Sequence, residues 1–184
     1  MLKLVLISGK AESGKDTVAK IIENKVNNKF AVITPHIADK VKSIAKEDFG
    51  WDGIKDEKGR ALLQLIGDGG RQYNPNIWIN YFLEFLNNLK ESNTLVLIPD
   101  VRYKNEVIKL VEWGNEKEIQ VFRVRVERPN YTNRLTKEQR KNSSETDLDN
   151  CGFWDFKVIN DSTLENLDKT VDKMLGVMEI GYKS

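Results

Sequence analysis

The feature that most constrains this sequence is a glycine-rich loop directly after a short apolar run, Leu2–Ile7. In Gly9-Lys10-Ala11-Glu12-Ser13-Gly14-Lys15-Asp16, a glycine, a four-residue gap, a glycine and a lysine have the spacing of the Walker A motif. Backbone amides of such a loop, and the helix N-terminus that follows, bind phosphate oxygens, and Lys15 would reach the β- and γ-phosphates. The pattern predicts a nucleotide phosphate site. The alternative is a strand-to-helix turn with a surface lysine.

Two aspartates are candidates for holding Mg²⁺. Asp16 stands where the motif usually has Ser or Thr, and a carboxylate is also a hard oxygen ligand that binds directly or through water. The alternative role of Asp16 is to favour the positive end of the helix dipole. Asp100 ends a second apolar strand, as a Walker B acid does, and would bind Mg²⁺ through water or hold the loop lysine. Its alternative role is an N-cap for the next helix.

Composition narrows the class of protein. The 184 residues suggest one domain, and 29 Lys+Arg against 28 Asp+Glu leave no basic field, which argues against nucleic acid as the main partner. The single cysteine, Cys151, excludes an internal disulfide and fits a cytoplasmic location. No apolar stretch has the length of a membrane span or the layout of a signal peptide.

Strand and helix patterns alternate along the chain, which predicts a parallel α/β sheet with helices on both faces. Strands are expected at 2–7, 30–34, 94–98, 119–126 and 156–159, the fourth exposed on one side because Arg123 and Arg125 interrupt its apolar residues. The helix through Ala61–Ile66 should end at Gly67–Gly70, and Ser162 with Glu165 should cap the last helix. Ligands bind beyond the carboxyl ends of such strands, which gathers Gly9–Asp16, Asp100–Arg102 and Arg128 at one edge.

The sequence offers no obvious catalytic base. His36 is the only histidine, and no Cys or Ser is arranged around it. A phosphate monoester is largely dianionic at neutral pH, since its second pKa is about 6, so its oxygen attacks without a base. Arginines in predicted loops, Arg71, Arg102 and Arg128 among them, would neutralise the phosphates. These points favour a kinase that acts on a phosphate.

The chain resembles the bacteriophage-type deoxynucleoside monophosphate (dNMP) kinases, a branch of the P-loop nucleotide kinases. The similarity is colinear over nearly the whole length. It comprises Ser8–Thr17, Ile37-Ala38-Asp39-Lys40-Val41-Lys42, Arg60–Gly67 with Arg71, Trp78, Pro99-Asp100-Val101-Arg102 with Glu106, Arg128-Pro129, Ser144-Glu145 and Val158-Ile159-Asn160-Asp161. The Lys15-Asp16 ending of the loop is typical of this family.

The resemblance implies transfer of the ATP γ-phosphate to a dNMP, with Mg²⁺, on a three-layer α/β/α P-loop kinase fold with about five strands. It implies one domain, 1–184, with a monophosphate-binding region at 36–80 and a short basic lid at 127–150. The expected catalytic residues are Lys15, Asp100, Arg102 and Arg128. ATP would contact Gly9, Ala11, Glu12, Ser13, Gly14, Lys15, Asp16, Thr17 and Arg128. The monophosphate would contact Ala38, Lys42, Arg71, Trp78, Arg102 and Glu145, and Mg²⁺ would contact Asp16 and Asp100.

Two departures from the family bear on acceptor recognition. Asn142 stands where the family often has His, and an insertion of longer members between the Lys42 and Arg60 regions is missing. The sequence therefore leaves open which nucleobase the enzyme accepts and whether it prefers ribose or deoxyribose. It also leaves open whether the protein forms a homodimer. A phage-encoded protein would act in the host cytoplasm. The alternatives are a P-loop kinase of another phosphorylated small molecule, such as phosphomevalonate, and a non-catalytic nucleotide switch. The absence of an Asn-Lys-x-Asp motif weakens the switch.

Overall fold

A central five-stranded parallel sheet organises the computed structural model, which describes residues 1–26, 28–89 and 93–180. Its strands are β1 (Leu2–Ser8), β2 (Ala31–Ile33), β3 (Thr94–Val101), β4 (Gln120–Glu127) and β5 (Phe156–Ile159), in the order β2-β3-β1-β4-β5. Positions 27, 90–92 and 181–184 of the expected 1–184 domain lie outside the described residues. The prediction of a parallel α/β sheet of about five strands is confirmed.

Eight helices are found in the described residues. They are α1 (Lys15–Val26), α2 (Asp39–Glu47), α3 (Glu57–Tyr73), α4 (Ile77–Asn87), α5 (Lys104–Glu116), α6 (Lys137–Lys141), α7 (Ser143–Thr146) and α8 (Leu164–Val177). None of them, over the part of the chain that the structure describes, combines the length and apolar character that crossing a bilayer requires.

The sheet separates two hydrophobic cores, which gives the expected three layers. Val5 and Ile7 of β1 pack on one face with Ile22 of α1 and Val171 of α8. The alternate residues of β1 face the other core, which contains Phe82 of α4 among its members. This alternation follows from the two-residue period of a strand and explains why β1 is buried throughout.

Three local predictions were wrong. The exposed side expected for β4 is wrong at Arg125, which is only 8% exposed and donates to Ser8 and Asp149, whereas Arg123 is partly exposed. The cap of α8 is Thr163, which accepts from the backbone N–H of Asn166, one residue later than the expected capping pair.

The third correction concerns α3, which continues through Gly67–Gly70 to Tyr73. Gly70 makes room for a neighbouring helix rather than ending its own. A Cβ added at Gly70 would overlap Cζ2 of Trp78 and lie 2.8 Å from its Cε2. The indole N–H of Trp78 donates to the carbonyl of Gly67 at 2.9 Å, so a large aromatic side chain of α4 packs directly on the backbone of α3.

Candidate active site

The glycine-rich loop spans the turn between β1 and α1 and has the strained backbone of an anion-binding turn. Gly14 has φ +97° and Glu12 has φ +62°, both in the left-handed region. The side-chain amide of Asn160, just after β5, donates to the carbonyl of Ser13 at 3.0 Å, and a Cβ on Gly14 would overlap that amide. Asn160 therefore stabilises the loop from its position just after β5.

Lys15 is the buried cation of this loop. Its side chain begins α1, is 7% exposed, and points Nζ at the carbonyl of Lys10 at 3.4 Å. Burial lowers the pKa of Lys15 to about 8, and the charge of Arg102 acts in the same direction, while Asp16, Glu145 and Asp100 oppose it. A bound polyphosphate would supply the missing negative charge and restore full protonation of the amine.

A cavity of about 300 Å³ opens beside this loop at the carboxyl edge of the sheet. Lys15 and Asp16 form one wall, the segment from His36 to Lys42 another, and one face of α3 a third. The predicted residues that line it are Ala11, Lys15, Asp16, Ala38, Lys42, Arg71, Asp100, Arg102 and Glu145. Residues far apart in sequence thus meet where the topology places ligands in such sheets.

Two arginines of the cavity are held in defined positions. The guanidinium of Arg71 lies 3.8 Å above the ring of Tyr103. Arg102 donates through Nη1 to Glu145 Oε1 at 2.5 Å and to the carbonyl of Ser144 at 3.2 Å. The other oxygen of Glu145 accepts the backbone N–H of Ala11 at 2.8 Å, so one carboxylate joins the glycine-rich loop to Arg102.

Asp100 faces the segment that precedes α2. Its two carboxylate oxygens accept the backbone N–H groups of Ile37 and Ala38, each at 2.9 Å. The alternative of an N-cap for α5 is wrong, because Glu106 takes that role by accepting the N–H groups of Arg102 and Tyr103. Asp100 thus shapes the wall next to Lys15, and its expected contact with Mg²⁺ stays a prediction.

Besides Gly9, Glu12, Ser13 and Gly14 of the loop itself, three predicted residues do not line this cavity. Arg128 stacks on Tyr131 at 3.9 Å and lines a neighbouring cavity of about 300 Å³ between the glycine-rich loop and the segment after β4. Trp78 is buried between α3 and α4, and Thr17 is exposed on the first turn of α1. Their expected contacts with ATP or the monophosphate stay predictions.

Solved structures share this architecture. The APS kinase of Mycobacterium tuberculosis in complex with AMPPNP and APS matches it with a TM-score of 0.55 and 13% identity, over 96% of this chain and 97% of its own. A gluconokinase from Sinorhizobium meliloti 1021 matches with a TM-score of 0.52 and 15% identity, over 96% and 93%. The chain therefore shares the fold of these two kinases. No protein-family model and no curated protein sequence matches the chain.

Some features of the site carried no sequence signal. Lys55 lines the cavity from the aperiodic segment before α3, where burial and the nearby charge of Lys42 lower its pKa. Tyr103, whose ring stacks on Arg71, belongs to no motif that the sequence analysis identified. Asn142 donates to Asp68 at 2.7 Å in the cavity wall, a pairing that sequence spacing does not indicate.

Proposed function

We infer that this protein is a dNMP kinase, which transfers the γ-phosphate of ATP to the phosphate of a deoxynucleoside monophosphate. The observation that carries this inference is the single cavity that brings Lys15 of the glycine-rich loop together with Lys42, Arg71 and Arg102. Two phosphorylated ligands that meet there would present several negative charges. Phosphoryl transfer depends mainly on positioning and neutralising such charge, which suits this arrangement.

ATP is the proposed donor. The APS kinase that shares the fold was solved with AMPPNP, and this supports an adenine nucleotide on the glycine-rich loop. Lys15 would neutralise the β- and γ-phosphates, and the amides around Gly14 would hold them.

Mg²⁺ fits the donor set of the cavity. Asp16 and Asp100 line the same space, and Mg²⁺ in kinases is held by one or two carboxylates together with substrate phosphates and water. Over residues 1–26, 28–89 and 93–180 no group of three or more His, Cys, Asp or Glu side chains could hold a metal ion alone, which agrees with a metal that arrives with the nucleotide. The ion would supply charge neutralisation on the transferring phosphate.

A phosphate acceptor would react in this cavity without help from a base. His36 lines it, with Nδ1 3.9 Å from Asp39, but a dianionic acceptor oxygen needs no deprotonation. Arg71 and Lys42 would hold that acceptor phosphate opposite Lys15.

An ADP-release assay tests the function. Wild-type protein is given Mg²⁺ and ATP with no acceptor, with each of several dNMPs and ribonucleotides, and with phosphomevalonate. We expect acceptor-dependent ADP with at least one dNMP, and none from Lys15→Ala under the same conditions. ADP only with phosphomevalonate would establish the related small-molecule kinase, and slow acceptor-independent hydrolysis would establish the switch.

A further inference from the structure

A buried carboxylate, Glu106, joins two parts of the cavity wall that the proposed reaction uses. It lies in the first turn of α5 and is 3% exposed. Oε2 accepts the backbone N–H groups of Arg102 and Tyr103 at 2.7 and 3.0 Å. On the other side, Oε1 lies 3.5 Å from Nη2 of Arg71.

Capping alone does not explain this carboxylate. A Ser, Thr, Asp or Asn at the N-cap satisfies the first amides of a helix at the surface, without burying a charge. Burying a carboxylate is costly unless a cation and hydrogen bonds compensate, and here burial raises the pKa of Glu106 to about 7 while the Arg102 amide and Arg71 oppose that rise. Only Oε2 takes part in capping, and the second oxygen, Oε1, faces Arg71.

Arg71 is held on two sides by this arrangement. Tyr103 fixes the plane of its guanidinium by stacking, and Glu106 fixes the rotation within that plane by pairing with one nitrogen. A guanidinium carries five N–H donors. The ion pair with Glu106 therefore leaves other N–H donors of Arg71 to bind an anion in the cavity that this residue lines. The same carboxylate anchors the backbone from which the Arg102 side chain projects.

We propose that Glu106 is a positioning residue, which orients Arg71 and the start of the Arg102 segment for binding of the acceptor phosphate. This role rests on the proposed function, because it assumes that the acceptor phosphate lies against Arg71. Glu106 acts through the arginines and does not itself contact the substrate.

Glu106→Gln tests the role, since an amide oxygen still accepts the two backbone N–H groups while the charge opposite Arg71 is lost. We expect KM for the monophosphate to rise roughly tenfold and KM for ATP to change less than about twofold. Glu112→Gln is the matched control: Glu112 lies on the same helix, is exposed and pairs with Lys109, so the change should leave both constants unchanged.

A double-mutant cycle separates positioning from general damage. In the Arg71→Ala background, Glu106→Gln should have little further effect on KM for the monophosphate, because the group it orients is gone. An undiminished effect in that background, or equal increases of both KM values, would overturn the positioning role. If the wild-type protein phosphorylates no monophosphate, the proposed function fails and this role fails with it.

A stability measurement covers the case in which Glu106→Gln does not fold. Arg71→Met removes the cation that faces Glu106 and leaves Asp100 and Tyr103 as the ionisable groups near that carboxylate. It also removes the cation that lies 4.0 Å from Asp68. The folded-state pKa of Glu106 is above the unfolded value, so the stability of the protein falls as the pH rises from the unfolded pKa to the folded pKa. This loss of stability should be larger without Arg71. We expect the melting temperature of Arg71→Met to drop more than that of wild type between about pH 5 and pH 8. Parallel pH curves would show that Arg71 and Glu106 are not coupled, and would overturn the proposal.

Discussion

The carboxylate of Asp100, at the end of β3, accepts the backbone N–H of Ala38 at 2.9 Å, and its other oxygen accepts that of Ile37. This pair of hydrogen bonds fixes the segment between β2 and α2 against the end of β3. The acidic residue at the end of an apolar strand is therefore part of the wall on which the acceptor would lie, and not only a candidate metal ligand.

Asp100→Asn should destabilise the contact between Asp100 and the segment before α2. The oxygen of an amide can accept one of the two backbone N–H groups, but its NH2 group would then face the other N–H donor. We expect the free energy of unfolding in urea to fall by about 1–3 kcal/mol. Asp52→Asn is the control, since Asp52 accepts one N–H in an exposed loop and should cost much less. Equal losses in the two variants would contradict a structural role for Asp100.

Gly70→Ala should destabilise the protein by about 1–3 kcal/mol, because the new Cβ would overlap the Trp78 ring and force α3 and α4 apart. Gly69→Ala is a matched control one residue away: nothing lies within 4 Å of its added Cβ, and alanine in an exposed helix position should stabilise by about 0.5–1 kcal/mol. Urea unfolding measures both. Changes of the same sign would show that the helix contact is misplaced.

The lowered pKa of Lys15 predicts a pH dependence of ATP binding. The amine is protonated below its pKa of about 8, so the affinity for ATP measured by calorimetry should fall as pH rises above that value. The stability of the free protein should change in the opposite direction. The folded-state pKa of Lys15 lies below the unfolded value of 10.5, so stability rises as the pH increases from the folded pKa to the unfolded pKa and the buried charge is lost. Lys15→Met should be more stable than wild type near neutral pH, and should lose the pH-dependent affinity. A flat affinity profile in wild type would contradict the assignment.

Arg71→Ala should raise KM for the monophosphate far more than KM for ATP, because Arg71 belongs to the α3 wall of the cavity and not to the glycine-rich loop. A rise of about tenfold or more is expected for the loss of a charge-assisted contact. Arg123→Ala removes an arginine that pairs with Asp155 instead of lining the cavity, and should leave both values near wild type. Equal effects of Arg71→Ala on the two substrates would show that the arginine is misassigned.

The predictions from sequence succeeded where a local pattern determines the structure. The apolar run of β1, the Walker A spacing and the alternation of strands with helices were sufficient for a parallel sheet, and the carboxyl-edge rule brought Lys15, Asp100 and Arg102 together. They failed where tertiary contacts override a local signal. Gly67–Gly70 resemble a helix stop, but α3 continues through them and the Trp78 ring occupies the space where a side chain of Gly70 would lie. Arg125 resembles a surface residue in the sequence, but in the structure it donates to Ser8 and Asp149.

The polar contacts around the cavity could not be predicted from the sequence for a similar reason. Glu145 contacts Ala11 and Arg102 across long sequence separations, and Lys55 belongs to a segment without periodicity. Such contacts follow from how the chain connections pack, which no spacing rule specifies.

Phosphorus NMR of one reaction tests the proposed phosphotransfer most directly. The wild-type protein is mixed with Mg²⁺, ATP and the dNMP that gives the fastest ADP release, and the products are identified. We expect ADP and the corresponding deoxynucleoside diphosphate to form in equal amounts, with no inorganic phosphate. Inorganic phosphate as the product, or ATP left unchanged with every monophosphate, would contradict the proposal.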